Sequence, residues 1–233
     1  MKECIVLAGG LGTRLRTVVK DVPKCMAEVA GKPFLYYILH YLKAQGISHI
    51  ILSLGYKSDV VTDWIEDNGF GLNISYAIET EPLGTGGGIK YAMSKAQSDA
   101  VFVVNGDTFF DVDLSALFDF HIRNKAQVSL ALKFMENFDR YGSVELQDDK
   151  IVGFNEKTHC ESGFINGGIY LVEKSVFEKM TLPQKFSFEK DILENKDSDI
   201  GIFGYKSDSY FIDIGIPEDF RKANEDFKRY NDE

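Results

Sequence analysis

The sequence predicts an α/β protein, built on a mixed, mostly parallel sheet with helices on both faces and followed by a small β-rich lobe. Three observations carry this expectation. Short apolar runs alternate with helix-length amphipathic stretches through the first half, the order of βαβ units. The run Ala100-Val101-Phe102-Val103-Val104-Asn105 is apolar at every position but the last, as in a strand covered on both sides. After Leu114 the pattern changes to short strands separated by turns.

Taken in order, residues 3–8 read as a buried strand. Residues 34–45 read as a helix, with Phe34, Leu35, Ile38, Tyr41 and Leu42 on one face and Gly46 closing it. Residues 49–54 are a strand, and a helix lies near 59–67. Residues 73–78 are a strand, and a helix runs from about Gly87 to Ala96. Further strands are expected at 127–133, 141–146 and 151–154, with Asp148-Asp149 turning between the last two. Residues 165–172 return to strand, and a helix spans 187–194 with Ser187 as its N-cap. Strands follow at 200–205 and 210–214. The last helix begins at Pro217, with Glu218 and Asp219 in its first turn, where acids meet the positive end of the dipole. No repeat, linker or low-complexity stretch interrupts this series, so residues 1–233 read as one domain.

Composition narrows the function. The 233 residues carry a formal charge of −10, which argues against nonspecific nucleic-acid binding, where Lys and Arg must neutralise phosphates. The charge is unevenly spread. Residues 1–33 hold six bases (Lys2, Arg14, Arg16, Lys20, Lys24, Lys32) against three acids (Glu3, Asp21, Glu28), so a small polyanion is drawn to that end. No apolar run approaches the ~18 residues that would span a bilayer, and no membrane partner is expected. The N-terminal apolar stretch is too short for a secretory leader. Cys4, Cys25 and Cys160 lack metal-site spacing and read as reduced thiols, which predicts a cytoplasmic protein. The acidic surface is compatible with a monomer or a homodimer alike.

The sharpest local feature is Leu7-Ala8-Gly9-Gly10-Leu11-Gly12-Thr13-Arg14-Leu15-Arg16, directly after the first strand. Glycines there let backbone N–H groups approach an anion closely. Neither standard phosphate motif fits. The dinucleotide fingerprint needs Gly where Leu15 stands, and a P-loop ending at Gly31-Lys32 would need Gly at Met26. A tight turn alone would explain a lone glycine cluster, but Arg14, Arg16 and Lys24 follow at once in an acidic chain.

Seven segments in order resemble the sugar-1-phosphate nucleotidyltransferases. They are Gly10-Leu11-Gly12-Thr13-Arg14-Leu15 with Pro23-Lys24, Glu81-Pro82-Leu83-Gly84-Thr85-Gly86, Asn105-Gly106-Asp107, Tyr141-Gly142, Glu156-Lys157, Asn166-Gly167-Gly168, and Asp213-Ile214-Gly215-Ile216-Pro217-Glu218-Asp219. The resemblance covers almost the whole chain. It implies a Rossmann-like fold of the nucleotide-diphospho-sugar transferase type, with a nucleotide-binding half at 1–114 and a sugar-phosphate-binding half at 115–233. It implies an enzyme that joins a nucleotide to a sugar 1-phosphate, with Mg²⁺ as cofactor. Three positions depart from the common pattern: Thr17 and Cys25 where Pro is frequent, and Ile216 where Thr is frequent. None of them removes a charge.

The resemblance and the chemistry together suggest roles. Moving a nucleotidyl group is mostly a matter of positioning anions and neutralising charge, so cationic side chains and metal should dominate. Asp107 and Asp213, each ending an apolar strand, are the expected metal aspartates. Arg14 is expected on the β- and γ-phosphates and Lys24 near the α-phosphate. Leu7, Ala8, Gly9, Gly10, Gly12 and Thr13 form the nucleotide loop. Glu79, Glu81, Pro82, Gly84 and Thr85 are expected at the base. A carboxylate there can accept both donors of guanine's pairing edge, whereas uracil offers one donor between two acceptors, so GTP is favoured. Gly142, Glu156, Lys157 and Asn166 are implied at the sugar phosphate. Each also has a plain structural reading, as a solvated turn, a surface charge or a core residue.

Within the family the segments Phe164–Tyr170, Phe186–Asp191 and Tyr210–Asp219 look most like the D-glycero-α-D-manno-heptose 1-phosphate guanylyltransferases, which make GDP-heptose for bacterial surface polysaccharide. Other readings stay open on sequence alone. They are a uridylyl- or cytidylyltransferase on another sugar or alcohol phosphate, a glycosyltransferase using Asp111-Val112-Asp113 as its metal motif, and a nucleotide-sugar sensor without catalysis. Asp111 and Asp113 also suit a helix-entry turn before Leu114-Ser115.

Overall fold

The computed structural model describes residues 2–10, 22–195 and 199–231. In chain order the first half holds β1 (Glu3–Leu7), the hairpin β2 (Glu28–Val29) and β3 (Lys32–Pro33), α1 (Phe34–Ala44), β4 (His49–Leu54), α2 (Ser58–Asn68), β5 (Asn73–Ile78), α3 (Gly84–Met93), β6 (Ala100–Asn105), β7 (Thr108–Phe110) and α4 (Leu114–Asn124). The second half holds β8 (Val128–Phe138), β9 (Ser143–Gln147), β10 (Lys150–Phe154), β11 (Cys160–Glu173), α5 (Ser175–Glu178), β12 (Ile202–Ser207), β13 (Phe211–Asp213) and α6 (Pro217–Asp226).

Nine strands form one sheet in the order β5-β4-β1-β6-β11-β8-β12-β10-β9. The segment β5-β4-β1-β6 is parallel throughout, β12 is parallel to β8, and β11 and β10 run antiparallel to their neighbours. Alternate side chains sort to two cores, as a strand's two-residue period requires. Cys4, Val6, Ile50, Leu52, Phe102 and Val104 face α1, α2, α4 and α6. Ile5, Ile51, Val101 and Val103 face α3, α5 and residues 186–193. The expected two-sided sheet is therefore present.

The structure corrects several element boundaries. α3 begins at Gly84 and not at Gly87, because the Leu83 N–H is held by the Glu79 carboxylate and the N–H groups of Gly86 and Gly87 reach the Phe186 carbonyl. A Cβ on Gly86 would lie 2.2 Å from the Phe186 ring, so packing by residues 184–188 outweighs the poor helix propensity of three adjacent glycines. β8 and β11 run past their expected ends, since Phe138 pairs with Cys160 and Glu136 with Ser162. The polar residues there decorate a paired ribbon instead of ending it. The helix expected at 187–194 is a single π-helical turn, Glu189–Leu193, at whose start the Ser187 hydroxyl accepts the Lys190 N–H. The β2–β3 hairpin and β7 had no clear pattern in the sequence.

Candidate active site

The chain runs β1, β4, β5 outward with α1 and α2 on one face, then returns by α3 across the other face to β6. The sheet order reverses between β1 and β6, and open α/β folds bind ligands at the carboxyl ends flanking such a switch point. β1 delivers Ala8, Gly9 and Gly10 to that edge, and β6 delivers Gly106 and Asp107. The two ends are locked together: the Gly106 N–H donates to the Leu7 carbonyl at 2.9 Å, and a Cβ on Gly106 would stand 2.6 Å from that oxygen. Only glycine fits there.

Asp213 arrives from the far end of the chain. β13 pairs antiparallel with β7, placing Asp213 opposite Thr108, and the Ile214 N–H donates to the Asp107 carbonyl at 3.0 Å. Two carboxylates separated by more than a hundred residues of chain thereby meet. Lys24, in the turn Lys24–Met26, lies between them, with Nζ 2.5 Å from Asp107 Oδ2 and 3.5 Å from Asp213 Oδ1. Burial, together with the negative charge of Asp107, raises the pKa of Asp213, and Lys24 and the Gly215 N–H oppose the rise. Behind Lys24, Cys25 is buried with its thiol 3.8 Å from the Ala8 carbonyl. Burial pushes that thiol up to about 12, with Asp107 adding to the shift, so its neighbour Lys24 does not activate it.

These groups open onto a cavity of about 1060 Å³. Leu7, Ala8, Gly10, Lys24, Asp107 and Asp213 line it, and so do Gly142, Glu156, Lys157 and Asn166. Both groups of expected site residues thus share one space. Asn166 is half-engaged already: its Nδ2 donates to the Tyr170 hydroxyl and its Oδ1 accepts the Gly168 N–H. Gly9 packs its backbone against Gly55 instead of facing the cavity. Gly12, Thr13 and Arg14, with Arg16 and Thr17, lie outside the described residues.

The expected base-reading residues lie beside the cavity, not in its wall. Glu79 accepts the Leu83 N–H at 3.0 Å, Glu81 and Pro82 are exposed, and Gly84 starts α3. The Thr85 hydroxyl donates to Glu189 at 2.7 Å and accepts the Phe188 N–H at 2.9 Å, tying this loop to the segment before the π-helical turn. Four charged lining residues escaped sequence reasoning, Arg140, Glu189, Lys190 and Glu194. Arg140 directly precedes the Tyr141-Gly142 pair, and that adjacency was its only signal. Asp113 takes the helix-entry role, accepting the N–H groups of Ser115 and Ala116 at the start of α4, while the Asp111 N–H donates to the Tyr210 carbonyl.

The donor set suits a hard divalent cation. Asp107 and Asp213 offer oxygen only, and the described residues contain no cluster of three or more His, Cys, Asp or Glu. Two carboxylates can supply part of such an ion's coordination, with water and substrate phosphates supplying the rest.

A glycine-lined switch point with a lysine held between two strand-end carboxylates is suited to seating polyphosphate, and it defines an α/β nucleotide-handling transferase. The chain belongs to the nucleotidyl transferase family, whose match runs over residues 3–229. It is 49% identical over 228 residues to the D-glycero-alpha-D-manno-heptose 1-phosphate guanylyltransferase of Aneurinibacillus thermoaerophilus, covering 98% of this chain and 99% of that one. It is 47% identical over 227 residues to the protein of the same name from Campylobacter jejuni, covering 94% and 96%. HddC from Yersinia pseudotuberculosis, in a crystal structure with GMP-PN, superimposes with a TM-score of 0.89 at 38% identity, over 98% of this chain and 100% of that chain. Among the described residues no helix is long and apolar enough to cross a membrane.

Proposed function

We propose that the protein transfers guanylate from GTP to D-glycero-α-D-manno-heptose 1-phosphate, releasing pyrophosphate and forming GDP-heptose for bacterial surface polysaccharide. The observation that carries this reading is the convergence of Asp107, Asp213 and Lys24 in a cavity that Gly142, Glu156, Lys157 and Asn166 also line. The relatives' heptose guanylyltransferase names support the choice of both substrates.

A phosphate oxygen of the sugar 1-phosphate attacks the α-phosphorus of GTP. A new P–O bond forms as the bond from that phosphorus to the bridging oxygen breaks, and the electron pair departs with pyrophosphate. The attacking oxygen is already anionic near neutral pH, where phosphomonoesters have their second pKa near ~6, so no side chain must remove a proton. Lys24 moves within the field of the two carboxylates to meet the α-phosphate and the incoming phosphate. Lys157 pairs with the sugar phosphate, and Glu156 and Asn166 accept from and donate to sugar hydroxyls. By the family resemblance Arg14 is assigned to the β- and γ-phosphates, where its planar fork would suit the leaving pyrophosphate. Asp107 and Asp213 would hold Mg²⁺, which supplies charge neutralisation on the triphosphate when bound. Glu79 and Glu81 are assigned to the base by the family resemblance, from beside the cavity; the Glu79 carboxylate accepts the Leu83 N–H.

Pyrophosphate release with Mg²⁺ tests the reading, crossing GTP, UTP, CTP, ATP and dTTP with heptose, mannose, glucose and N-acetylhexosamine 1-phosphates. Release with GTP and the heptose phosphate is the expected outcome. Release with a different pair would keep the reaction and replace the substrates. Nucleotide binding without release from any pair would favour the sensor reading.

A further inference from the structure

We infer that Arg140 is a positioning residue: through its ion pair with Asp219 it holds the Tyr141–Gly142 wall of the cavity against the strand that carries Asp213. The inference deepens the proposed nucleotidyl transfer and rests on it for its kinetic consequences. Arg140 lies on the turn between β8 and β9, and its Nη2 stands 2.8 Å from Asp219 Oδ2 in the first turn of α6. Its guanidinium also lies over the Tyr141 ring, 5.5 Å from the centroid. Tyr141 meets Phe211 edge-on, with ring centroids 6.1 Å apart, and Phe211 begins the strand that ends in Asp213.

These contacts close a loop of structure. Asp219 and Phe211 flank Asp213 on either side in sequence, and Arg140 and Tyr141 grip one each. The 140–142 turn is therefore tied to both ends of the segment presenting Asp213. Gly142 also packs closely on the chain just after β10, since a Cβ on it would lie 2.5 Å from the Asn155 carbonyl. What sets the distance between the Gly142 wall and Asp213 is then the Arg140–Asp219 pair together with the Tyr141–Phe211 contact. A planar, permanently charged fork stacked on an aromatic ring is suited to holding that distance, and a lysine would lose both the fork and the stacking. A lone exposed ion pair adds little to global stability, so the consequence should be read in catalysis.

The competing role is a direct contact between Arg140 and the substrate phosphate, since Arg140 itself lines the cavity. Steady-state kinetics of Arg140→Ala, Asp219→Ala and the double variant separate the two. Each single variant is expected to lower kcat/KM for the sugar phosphate by about tenfold to a hundredfold with the KM for the nucleotide unchanged. The double variant should be no worse than either single one, because both remove the same tie. Arg140→Lys should recover little. A much larger loss in Arg140→Ala than in Asp219→Ala, with the two adding, would assign the direct phosphate contact and overturn the inference. Unchanged kinetics in both would also overturn it.

Amide hydrogen exchange over residues 139–144 provides a readout independent of turnover. Faster exchange there in both single variants, to the same extent, is expected. Exchange identical to wild type would overturn the inference. If the wild-type protein releases no pyrophosphate from any pair, the functional reading fails and the exchange experiment alone decides on Arg140.

Discussion

Lys24 Nζ bridges Asp107 and Asp213, 2.5 Å from one carboxylate and 3.5 Å from the other. The three side chains come from the turn after the glycine loop, the end of β6 and the end of β13. Burial raises the pKa of Asp213 and the charge of Asp107 raises it further, and Lys24 is the counter-charge built into the protein. Lys24→Met should therefore leave the carboxylate pair uncompensated and lower turnover by about 10² to 10³, the cost typical of losing a charge-stabilising group. Turnover within a few-fold of wild type, measured as pyrophosphate release, would remove Lys24 from the reacting centre.

Asp213→Asn keeps the shape of the side chain and removes its charge. The fold should persist, because the lost group is a partly buried carboxylate repelled by Asp107, and thermal unfolding should show little loss of stability. Turnover should fall by orders of magnitude as metal binding is lost. Asp107→Asn should behave alike, while Asp111→Asn should be close to wild type. The reverse ranking of Asp107 and Asp111 would revive the glycosyltransferase reading.

Lys157 is exposed and lines the cavity. Lys157→Ala should raise the KM for the sugar phosphate by roughly tenfold or more, since a charge-assisted contact contributes about 1.5–3 kcal/mol. The KM for the nucleotide should stay put. An effect confined to the nucleotide would transfer Lys157 to the other substrate.

At the opposite edge of the sheet Glu3 is fully buried. Its Oε1 lies 2.7 Å from His49 Nδ1, and its Oε2 accepts the N–H groups of Gln97 and Ser98. Burial alone would raise its pKa, but these hydrogen bonds outweigh burial and lower it from 4.5 to about 2. A carboxyl with a depressed folded-state pKa stabilises the fold above its unfolded value, and that contribution disappears as pH falls through the folded one. The Glu3 contribution, on the order of 3 kcal/mol, should therefore be present above about pH 4.5 and lost by about pH 2. Urea unfolding should show Glu3→Gln less stable at pH 7, with the gap to wild type closing across that window. A constant gap from pH 7 to pH 2 would contradict the assignment.

Cys25 should resist alkylation while the protein is folded, because its thiol is buried and its pKa is pushed up to about 12. Cys160, partly exposed in β11, should react first. Peptide mapping after iodoacetamide treatment at pH 8 would check the order, and prompt labelling of Cys25 would show that the Lys24 turn opens.

Much of this architecture was legible in the chain itself. Strands 49–54, 73–78 and 100–105 and the helix from Pro217 follow from apolar periodicity, flanking glycines and a proline at the first helical turn, all local properties. The ordered motifs also named Asp107, Asp213, Lys24 and the Gly142–Asn166 set, all of which line one cavity. The start of α3 was not legible. Gly84, Gly86, Gly87 and Gly88 disfavour a helix locally, and only the packing of residues 184–188 onto them makes a helix the better arrangement. The same holds for the polar ends of β8 and β11, whose strand character depends on each other.

Sequence alone thus determined which chemical groups the protein has and the order in which they reach the sheet edge, because both are written in local pattern. Only the tertiary structure decided which groups meet. The β7–β13 pairing sets Asp213 beside Asp107, the Leu7–Gly106 contact joins the ends of β1 and β6, and the Arg140–Asp219 ion pair spans residues far apart in the chain. Such contacts have no period and no fixed spacing; they exist because a folded backbone brings distant residues within hydrogen-bond reach.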